Sequence, residues 1–419
     1  MADVQRTLER DMELLAVTGV EDKLQPNVRG TLEKLRHAGI RIWMLTGDKV
    51  ETATCIAISS RLADRTQSLF RIVGVTSRTE ASSRLARFRQ IPNAVLIVDG
   101  SSLQVFLDHF PQEFIEAASK APAAVASRCS PVQKAAITKL LMSYSGKQVA
   151  AIGDGGNDVN MIQEANVGIG IPGKEGKQAS LAADFSISTF SQLCPLLLWH
   201  GRNSYKRSAR LVLFVMHRGL IIAIIQMVYS AIFFYAAVSV YDSWILVGYA
   251  TVFTMFPIFS LVLDEDVSTT IADTYPELYR ELQKGRSLNM RQFLTMTFKS
   301  LYQGTIIMVF SVYILWDETY FSLMNLSAVS FSALVFTELL MIAFEINTWK
   351  WPMLVAELFS MCTYLVAILA LPQVFDRSVI FTWQFFGRVF LVTVVSCVPV
   401  TIGKLLKRKF SPPAYSKLT

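Results

Sequence analysis

The sequence predicts an α/β domain with a mainly parallel β-sheet, followed by an all-α membrane domain with six spans. In the first half, short apolar runs alternate with segments in which apolar residues recur at helical spacing. Repeated strand–loop–helix units of this kind are typical of parallel sheets with right-handed crossovers. After residue 210, the apolar segments lengthen to the ~20 residues that cross a bilayer. The chain therefore combines a soluble half with a membrane half.

Charge and cysteine content narrow the class of function. The 419 residues include 40 Lys and Arg against 33 Asp and Glu, which gives a net charge of +7. The basic residues are scattered through the soluble half and clustered beside the apolar spans, which favours a membrane surface and argues against a nucleic-acid partner. The five cysteines are far apart in sequence and form no Cys-x-x-Cys pair. We therefore expect free thiols, with neither a disulfide framework nor a zinc site.

The elements of the soluble half follow from the positions of apolar runs, prolines and glycines. Pro26 and Pro131 each lie at the first position of a helix, where the missing N–H costs nothing, and Gly39 ends the earlier of these helices. The Arg/Ser/Thr-rich residues 77–90 are either a helix or a solvated excursion. Helices are predicted at residues 5–13, 26–39, 50–62, 106–119 and from residues 131 and 157. Candidate strands lie at residues 14–17, 40–45, 72–75, 94–98, 123–126, 149–152, 167–171 and 185–187. We count about five or six of these as strands of one sheet that alternate with helices.

The loop after the strand at residues 149–152 has the composition of a magnesium and phosphate site. Glycines at positions 153, 155 and 156 allow the backbone to approach a ligand closely, and a helix opens at Asn157. Asp154 and Asp158 lie four residues apart across this turn. Two carboxylates at the carboxyl end of a strand suit Mg²⁺. The alternative is a solvated turn, since Asp, Asn and Gly also favour turns of that kind.

Two further polar sequences follow strands of the same predicted sheet. Thr46-Gly47-Asp48 ends the strand at residues 40–45, and Lys134 lies one turn into the helix that follows Ser127-Arg128-Cys129-Ser130-Pro131. Each sequence alone is more often a turn or a solvated helix charge. Together with Asp154 and Asp158, they supply a hydroxyl and an ammonium for phosphoryl oxygens and carboxylates for Mg²⁺. These are the groups that phosphoryl transfer requires.

In this order, the three sequences resemble the second, third and fourth motifs of the haloacid-dehalogenase-like phosphorylation domain of P-type ATPases, which has a Rossmann-like α/β fold. The resemblance implies ATP and Mg²⁺ as cofactors, with Asp154 and Asp158 as metal ligands. It implies catalytic roles for Thr46, Gly47, Asp48 and Lys134. The phosphate- and nucleotide-binding residues that it implies are Thr46, Gly47, Asp48, Arg128, Lys134, Asn157 and Asp158.

The phosphate acceptor of that family is the aspartate of an Asp-Lys-Thr-Gly sequence, which this sequence does not contain. The similar letters Thr46-Gly47-Asp48-Lys49 belong to the second motif. We therefore expect the chain to be the carboxyl-terminal part of a larger pump. Residues 1–200 would end its phosphorylation domain, residues 201–410 would form a membrane domain, and residues 411–419 a cytoplasmic tail. We expect no phosphoenzyme, and no ATP-driven turnover, from these residues alone.

The membrane half carries its basic residues on one side. Lys and Arg concentrate before the first span, between the second and third spans, and after the sixth, whereas the opposite loops hold only Arg377. By the positive-inside rule, the phosphoryl domain and both termini are cytoplasmic. The six predicted spans are residues 211–238, 244–263, 294–315, 326–346, 353–371 and 381–402.

Ionisable residues inside these spans are candidates for function, because a charge in the membrane is costly. The alternative for each of them is pairing between helices or snorkelling at a membrane edge. Pro257 within the second span can free backbone carbonyls, although a simple kink is the commoner outcome. The ionisable candidates are Arg218, Glu338, Glu357 and Arg388.

Several sequences resemble the class-four P-type ATPases, the phospholipid flippases. They are His200-Gly-Arg-Asn-Ser-Tyr-Lys-Arg before the first span, Leu263-Asp-Glu-Asp-Val after the second, residues 171–176, and Gln178-Ala179. Arg218 stands where members of this class tend to carry a lysine, so the resemblance implies a place for it on the lipid path. The same change suggests the divergent Neo1-like branch, located in the trans-Golgi network and endosomes, with the plasma membrane as a further location.

We interpret the chain as part of an ATP-driven pump that moves aminophospholipid from the exoplasmic or lumenal leaflet to the cytoplasmic leaflet. The phospholipid is its substrate, and a full-length pump or an accessory subunit is its expected protein partner. One alternative is a non-catalytic short form that regulates a full-length flippase or serves as its scaffold. Another is a membrane-tethered phosphatase of the same fold, which the missing acceptor argues against.

Overall fold

The structure is a computed structural model that describes residues 24–64, 66–173, 176–285, 287–316 and 321–410. It divides into two compact units. The first contains the residues up to Arg36 together with Arg41–Leu193, and the second contains His37–Ile40 together with the residues from Cys194 onward. The helix predicted at residues 5–13, the strand predicted at residues 14–17, and the tail at residues 411–419 lie outside the described residues. So do residues 174–175 of the flippase-like sequence.

The first unit alternates strands and helices, as the sequence predicts. Its strands are β1 (Ile42–Leu45), β2 (Leu69–Ile72), β3 (Val95–Asp99), β4 (Ala123–Ser127), β5 (Ala150–Gly153), β6 (Val167–Gly170) and β7 (Phe185–Ser186). Its helices are α1 (Val28–His37), α2 (Val50–Ser59), α3 (Arg78–Gln90), α4 (Gly100–His109), α5 (Pro111–Lys120), α6 (Pro131–Ser145), α7 (Val159–Glu164) and α8 (Gln178–Ala182).

All strand pairs are parallel, but the strands form two sheets where the sequence predicted one. The first sheet has the order β1-β4-β3-β2 and the second has the order β5-β6-β7. Within the described residues, one edge of β1 and one edge of β5 have no strand partner. The predicted α/β class with a parallel sheet is confirmed. The division into two sheets could not be predicted from local patterns, because apolar runs predict strands and do not show which strands pair.

Two local differences from the predicted elements have physical causes. Residues 106–119 were predicted as one helical segment, but α4 ends at His109 and α5 begins at Pro111, because Phe110 takes a non-helical conformation (φ −140°, ψ 45°) before the proline. Residues 77–90 are a helix and not a solvated excursion. The Ser77 side chain caps α3 by accepting a hydrogen bond from the Glu80 N–H, and the helix buries one apolar face.

The core of this unit lies on both faces of the central strands β3 and β4, in which every residue is buried. Side chains alternate across a strand, so Val95 and Ile97 pack in one apolar cluster with α2, while Leu96 and Val98 pack in another with α4 and α5. Burial on both faces is expected of a parallel sheet covered by helices. It fixes the carboxyl ends of these strands, where the polar loops begin.

Asp99 at the end of β3 is a structural cap. Its carboxylate accepts hydrogen bonds from the Ser102 N–H (3.1 Å), the Ser101 hydroxyl (2.7 Å) and the Gly74 N–H (3.2 Å). Burial alone would raise the pKa of Asp99, but the hydrogen bonds from Ser102, Ser101 and Gly74 hold this pKa below its ordinary value. The folded unit therefore favours the ionised carboxylate.

Among its described residues, the second unit contains six helices that are long and apolar enough to cross a membrane. The first comprises a π-helical turn at Pro195–Gly201 and α9 (Arg202–Ile232). The second comprises α10 (Ser243–Gly248), a π-helical turn at Tyr249–Phe253 and α11 (Met255–Leu263). Short helices α12 (Thr269–Thr274) and α13 (Arg280–Gln283) follow. The other four spans are α14 (Met290–Leu315), α15 (Leu323–Glu345), α16 (Trp351–Ala370) and α18 (Trp383–Phe410), with α17 (Arg377–Ile380) between the last two.

The first and fourth spans show how the sequence prediction and the structure differ in detail. The first segment was predicted to run to residue 238, but α9 ends at Ile232, because Phe234 and Tyr235 take left-handed conformations (φ 54° and 60°) that no helix continues through. The fourth span is the central helix of the unit. Its most apolar 18-residue window is 83% buried, whereas the corresponding windows of the other spans are 22–44% buried.

Buried ion pairs hold the basic ends of the spans together. Arg202 is 1% exposed, and its guanidinium donates to Asp266 (2.9 Å) and to the Leu278 carbonyl (2.6 Å). Arg210 pairs with Asp264, whose carboxylate also accepts the Thr348 N–H (2.9 Å) after α15. Burial alone would raise the pKa of Asp266, but the Lys206 and Arg202 cations beside it lower this pKa below its ordinary value. Much of the basic cluster before the first span is therefore internal pairing.

Replacing Asp99 with Ala is expected to destabilise the first unit by about 1 kcal/mol at neutral pH, because α4 loses its cap. Since the pKa of Asp99 is lowered on folding, its contribution is present above the ordinary aspartate pKa and is lost as pH falls through the lowered value. The difference between wild type and variant should therefore shrink in acid. Hydrogen exchange of the peptide that contains the first turn of α4, measured across pH, checks this. A difference that stays constant into acid would contradict it.

Candidate functional site

The Thr46-Gly47-Asp48 loop is fixed by the pairing of β1 with β4. The Thr46 N–H donates to the Ala126 carbonyl (2.9 Å) and extends this pairing by one residue. The Thr46 hydroxyl then donates to an Asp48 carboxylate oxygen (2.8 Å) and accepts from the Asp48 N–H (3.1 Å). Thr46 is half-buried, whereas Gly47 and Asp48 are exposed. A hydroxyl and a carboxylate are therefore held together at the open carboxyl end of the sheet.

The loop after β4 contacts the same end of the sheet. The Arg128 N–H donates to the Asp48 carbonyl (2.9 Å), and the Cys129 N–H donates to the Thr46 carbonyl (3.0 Å). Arg128 takes a left-handed conformation (φ 50°), which is uncommon for a residue with a side chain, and its side chain is exposed. These backbone contacts place Arg128 beside Thr46 and Asp48.

The start of α6 determines the position of Lys134. Ser130 and Gln133 form a reciprocal capping box around the first turn, with Pro131 at the first helical position, as predicted. Lys134 follows directly and is 7% exposed. Its ammonium donates to a carboxylate oxygen of Asp158 at 2.8 Å, and the two side chains are 9% and 15% exposed. A buried charge is costly unless it is paired, so this ion pair determines where both side chains can lie.

The Gly153–Asp158 loop is a close turn over the end of β5. A Cβ on Gly153 would lie 2.3 Å from the Asp158 Cβ, and a Cβ on Gly173 would lie 2.7 Å from the Asp154 carbonyl oxygen. Only glycine fits at these two positions, because real Cβ contacts are never so short. The predicted helix from Asn157 begins as a 3₁₀ turn at Gly156–Asp158 and continues as α7. Asp154 and Asn157 are exposed, and Asp158 is partly buried against Lys134.

The structure thus joins the predicted site residues into two contact groups. Thr46, Asp48 and the Arg128 backbone meet at the ends of β1 and β4. Lys134 and Asp158 meet over the end of β5. The segment from Arg128 to Lys134 connects the two groups, because it leaves β4 at the first group and enters α6 at the second. Asp154 and Asn157 have no side-chain hydrogen bond or ion pair with another predicted site residue within the described part of the chain.

The residues present fit a magnesium ion better than a transition metal. Carboxylate oxygens are the ligands that Mg²⁺ prefers, and Mg²⁺ usually keeps several waters, so one or two carboxylates suffice. Asp154 and Asp158 are the residues that would supply them. Among the described residues, no cluster of three or more His, Cys, Asp or Glu side chains could hold a metal by itself. The site therefore matches Mg²⁺ bound together with phosphate oxygens.

Cys129 is a thiol in the loop beside the site, and its protonation argues against a role as nucleophile. Burial raises the pKa of the Cys129 thiol to about 11, although Lys134 acts in the opposite direction. At neutral pH the thiol is therefore almost entirely protonated, and the thiolate is the reactive form. Cys129 is 7% exposed and donates to the Ser127 carbonyl. It packs in the core and does not supply the missing phosphate acceptor.

In the second unit, Arg218 contacts the interrupted second span. Its guanidinium donates to the Tyr249 carbonyl (2.6 Å) and lies 5.0 Å from the centre of the Tyr249 ring. The same carbonyl accepts from the Thr254 hydroxyl (2.8 Å), which follows the π-helical turn at Tyr249–Phe253. This arrangement matches the structural alternative for Arg218, namely pairing between helices. It also leaves the guanidinium partly exposed.

Sequence reasoning did not single out His217, which is fully buried beside Arg218. His217 contacts Ser300 of α14 and Glu338 of α15. The available signal was a lone histidine in an apolar span, and a histidine that is simply satisfied within a core gives the same signal. Among the other predicted intramembrane residues, Glu338 is fully buried and Glu357 partly buried.

Comparisons with known proteins agree with both halves of the chain. The family model for the phospholipid-translocating P-type ATPase C-terminal domain matches residues 180–413, and that for haloacid dehalogenase-like hydrolase matches residues 2–166. The chain is 54% identical over 419 residues to the probable phospholipid-transporting ATPase IIB of Danio rerio, covering all of this chain and 37% of that protein. It is 50% identical to the probable phospholipid-transporting ATPase tat-5 of Caenorhabditis elegans, covering 99% and 38%. It is 48% identical to the phospholipid-transporting ATPase NEO1 of Saccharomyces cerevisiae, covering 99% and 36%. The chain thus spans less than two fifths of each of these relatives.

Replacing Lys134 with Met should destabilise the first unit by about 3 kcal/mol, because it leaves the Asp158 carboxylate without its buried partner. Lys139 on the same helix is the matched control. Its pair with Glu164 spans 3.5 Å, and the two side chains are 72% and 36% exposed. Lys139→Met should therefore cost about 0.5 kcal/mol or less. Urea unfolding followed by hydrogen exchange in peptides from α6 and α7 measures both. Equal losses in the two variants would show that the Lys134 pair does not hold this site.

Proposed function

The chain belongs to the family of phospholipid-translocating P-type ATPases, and on this premise we propose that it forms the carboxyl-terminal part of an ATP-driven phospholipid pump. The proposed pump moves phospholipid from the exoplasmic or lumenal leaflet to the cytoplasmic leaflet. Six apolar spans and a haloacid dehalogenase-like domain in one chain support this proposal. The single observation that carries it is the Lys134–Asp158 pair, which holds an ammonium and a carboxylate at a strand end where phosphoryl chemistry needs both.

In the proposed site, Asp154 and Asp158 hold Mg²⁺, and Thr46 and Lys134 bind the oxygens of the phosphoryl group. The bound Mg²⁺ would neutralise charge on those oxygens. The Thr46 hydroxyl is held by Asp48 at 2.8 Å and is therefore oriented before any ligand arrives. The Lys134 ammonium is held by Asp158 at 2.8 Å in the same way. Arg128 and Asn157 are exposed at the edge of the site, where they can contact a phosphate or nucleotide.

The acceptor aspartate is proposed to come from a strand upstream in the pump. Within the described residues, β1 and β5 each have one edge without a partner, and their carboxyl ends lead to Thr46 and Asp154. A parallel strand that pairs with both edges would join the two sheets into one. A residue at its carboxyl end would then lie between Thr46 and Asp154, because the carboxyl ends of parallel strands meet at one edge of a sheet. The acceptor belongs at this position.

Arg218 is proposed to act on the lipid path. Its guanidinium is partly exposed and lies against the π-helical turn at Tyr249–Phe253, and irregular backbone at membrane depth is tolerated where it lines a cavity or is covered by protein. A guanidinium there can bind an anionic lipid phosphate. The likeness to the Neo1-type relatives supports a location in the trans-Golgi network and endosomes, with both termini cytoplasmic.

The pump proposal predicts a phosphoenzyme only when the upstream part is present. This chain and a chain extended upstream to include an Asp-Lys-Thr-Gly segment would each be incubated with radiolabelled ATP and Mg²⁺. We expect acid-stable label in the extended chain only. Asp154→Asn should remove at least about nine tenths of it, because the Mg²⁺ site loses a carboxylate.

The matched control for that experiment is Asp108→Asn, which changes an exposed aspartate on α4 that pairs only with Gln104 within the described residues. It should leave labelling unchanged. Label in this chain alone would contradict the proposal, since it would reveal an acceptor within the residues given. An extended chain that binds a full-length flippase but takes no label would instead favour the non-catalytic regulator or scaffold.

A lipid role for Arg218 predicts a separation of two activities in the extended pump. Arg218→Ala should lower lipid-stimulated ATP hydrolysis by roughly tenfold or more, the loss expected for one charged hydrogen bond, while phosphoenzyme formation persists. Arg377→Ala changes an exposed basic residue at the start of α17 and should alter neither activity. If Arg218→Ala leaves lipid stimulation intact, Arg218 only pairs helices.

A further inference from the structure

Inside the second unit, one imidazole and one carboxylate face each other without any other partner on the facing atoms. His217 on α9 and Glu338 on α15 are both 0% exposed. The Nε2 atom of His217 and the Oε1 atom of Glu338 lie 3.6 Å apart. By hydrogen-bond geometry, neither of these atoms, nor Glu338 Oε2, has a partner among the described residues, because the Tyr249 hydroxyl near the Glu338 carboxylate donates to the Arg218 carbonyl (3.2 Å). Buried polar groups are nearly always satisfied, so this pair requires an explanation.

The hydrogen bonds around His217 determine which ring nitrogen carries a proton in the neutral state. The Ser300 hydroxyl donates to the Met296 carbonyl (3.0 Å), so its oxygen is left to accept from His217 Nδ1 at 2.7 Å. The neutral imidazole therefore holds its proton on Nδ1 and presents the lone pair of Nε2 to Glu338. A carboxylate oxygen opposite that lone pair would be repelled. One further proton between Nε2 and Oε1 turns the repulsion into a hydrogen bond.

Two charged and two neutral titratable side chains surround the pair. Arg218, beside His217 on α9, acts electrostatically on Glu338, and Lys299 of α14 acts on His217. Tyr249 of the second span and Cys397 of α18 also interact with Glu338. The Arg218 guanidinium can balance the Glu338 carboxylate when the extra proton is absent. Release of the proton therefore leaves a carboxylate that Arg218 balances, and uptake leaves a net positive charge on the cluster, whose Arg218 residue is partly exposed.

We propose that His217 and Glu338 form a proton-binding site inside the membrane domain, which takes up and releases one proton in the gap between Nε2 and Oε1. Uptake raises the charge of the cluster formed by His217, Glu338 and Arg218 by one unit, and release lowers it by one unit. No covalent bond changes. The proton comes from water and returns to it.

The pair lies near the basic ends of the spans, which indicates the side from which the proton comes. His217 lies seven residues beyond Arg210, and Glu338 lies seven residues before Glu345 at the end of α15. At 1.5 Å per residue, His217 is about 10 Å along its helix from Arg210, and Glu338 is about 10 Å along its helix from Glu345. Ser300 is likewise in the half of α14 that begins at Met290. Exchange therefore occurs toward the side that carries Arg210 and Lys404.

The test follows both members of the pair in the full chain in lipid nanodiscs. The chain has four histidines, so ¹⁵N-histidine labelling gives few imidazole signals, and His217→Gln identifies the one of interest. The carbonyl stretch of a protonated carboxylic acid in the infrared spectrum reports Glu338. Between about pH 4 and pH 9, the wild type should show the His217 signal and the carboxyl band changing with a common midpoint. In Glu338→Gln, the His217 midpoint should move by about one pH unit or more and the band should disappear.

The matched control is Glu345→Gln on the same helix, where the carboxylate is partly exposed and pairs with Lys404 at 2.6 Å. It should leave the His217 midpoint in place. An unchanged His217 midpoint in Glu338→Gln would overturn the proposal, and so would a His217 signal and carboxyl band that do not change with pH in the wild type. A second measurement needs no variant. Transfer of the wild-type chain to D₂O should shift the carboxyl band, and a band that does not shift would show that the proton does not exchange.

Discussion

The ion pair between Lys134 and Asp158 is the interaction on which the candidate site depends. The two strand groups of the first unit share no backbone hydrogen bond among the described residues, so their relative position rests on packing between helices and on this contact. Lys134 begins α6 after β4, and Asp158 follows β5, so one short distance connects the two strand ends that carry the polar loops. Because the pair is largely buried, removing either side chain would leave the other charge without a partner.

Much of the site could be predicted from the sequence, because its determinants are local. Pro131 and Ser130 determine the start of α6, glycines at 153 and 173 are required by contacts that a Cβ would block, and Thr46 follows directly from β1. The residue roles remain predictions. The two-sheet arrangement could not be predicted, since strand pairing depends on contacts that are distant in sequence. His217 was missed for a similar reason, because only its position opposite Glu338 distinguishes it from a satisfied core histidine.

The second unit uses its charged residues in two different ways. At the basic ends of the spans, Arg202, Arg210, Asp264 and Asp266 form buried pairs that connect the first span to the residues after the second and fourth spans. Deeper in the unit, His217 and Glu338 are unsatisfied unless a proton lies between them. The first arrangement is a set of direct ion pairs, whereas the second is the proposed proton-binding site with two states. A membrane domain that moves lipid needs both rigid connections and an element with two states.

An upstream strand that joins β1 to β5 is the central feature of the proposed pump. Amide hydrogen exchange at β1 tests directly whether this strand is present. Because the Thr46 N–H points to β4, alternation along the strand directs the Met44 N–H to β4 and the Trp43 and Leu45 N–H groups to the free edge. In this chain, Trp43 and Leu45 should exchange much faster than Met44. In a chain extended upstream to the Asp-Lys-Thr-Gly segment, all three should be protected. Protection of Trp43 and Leu45 that is the same in both chains would contradict the account.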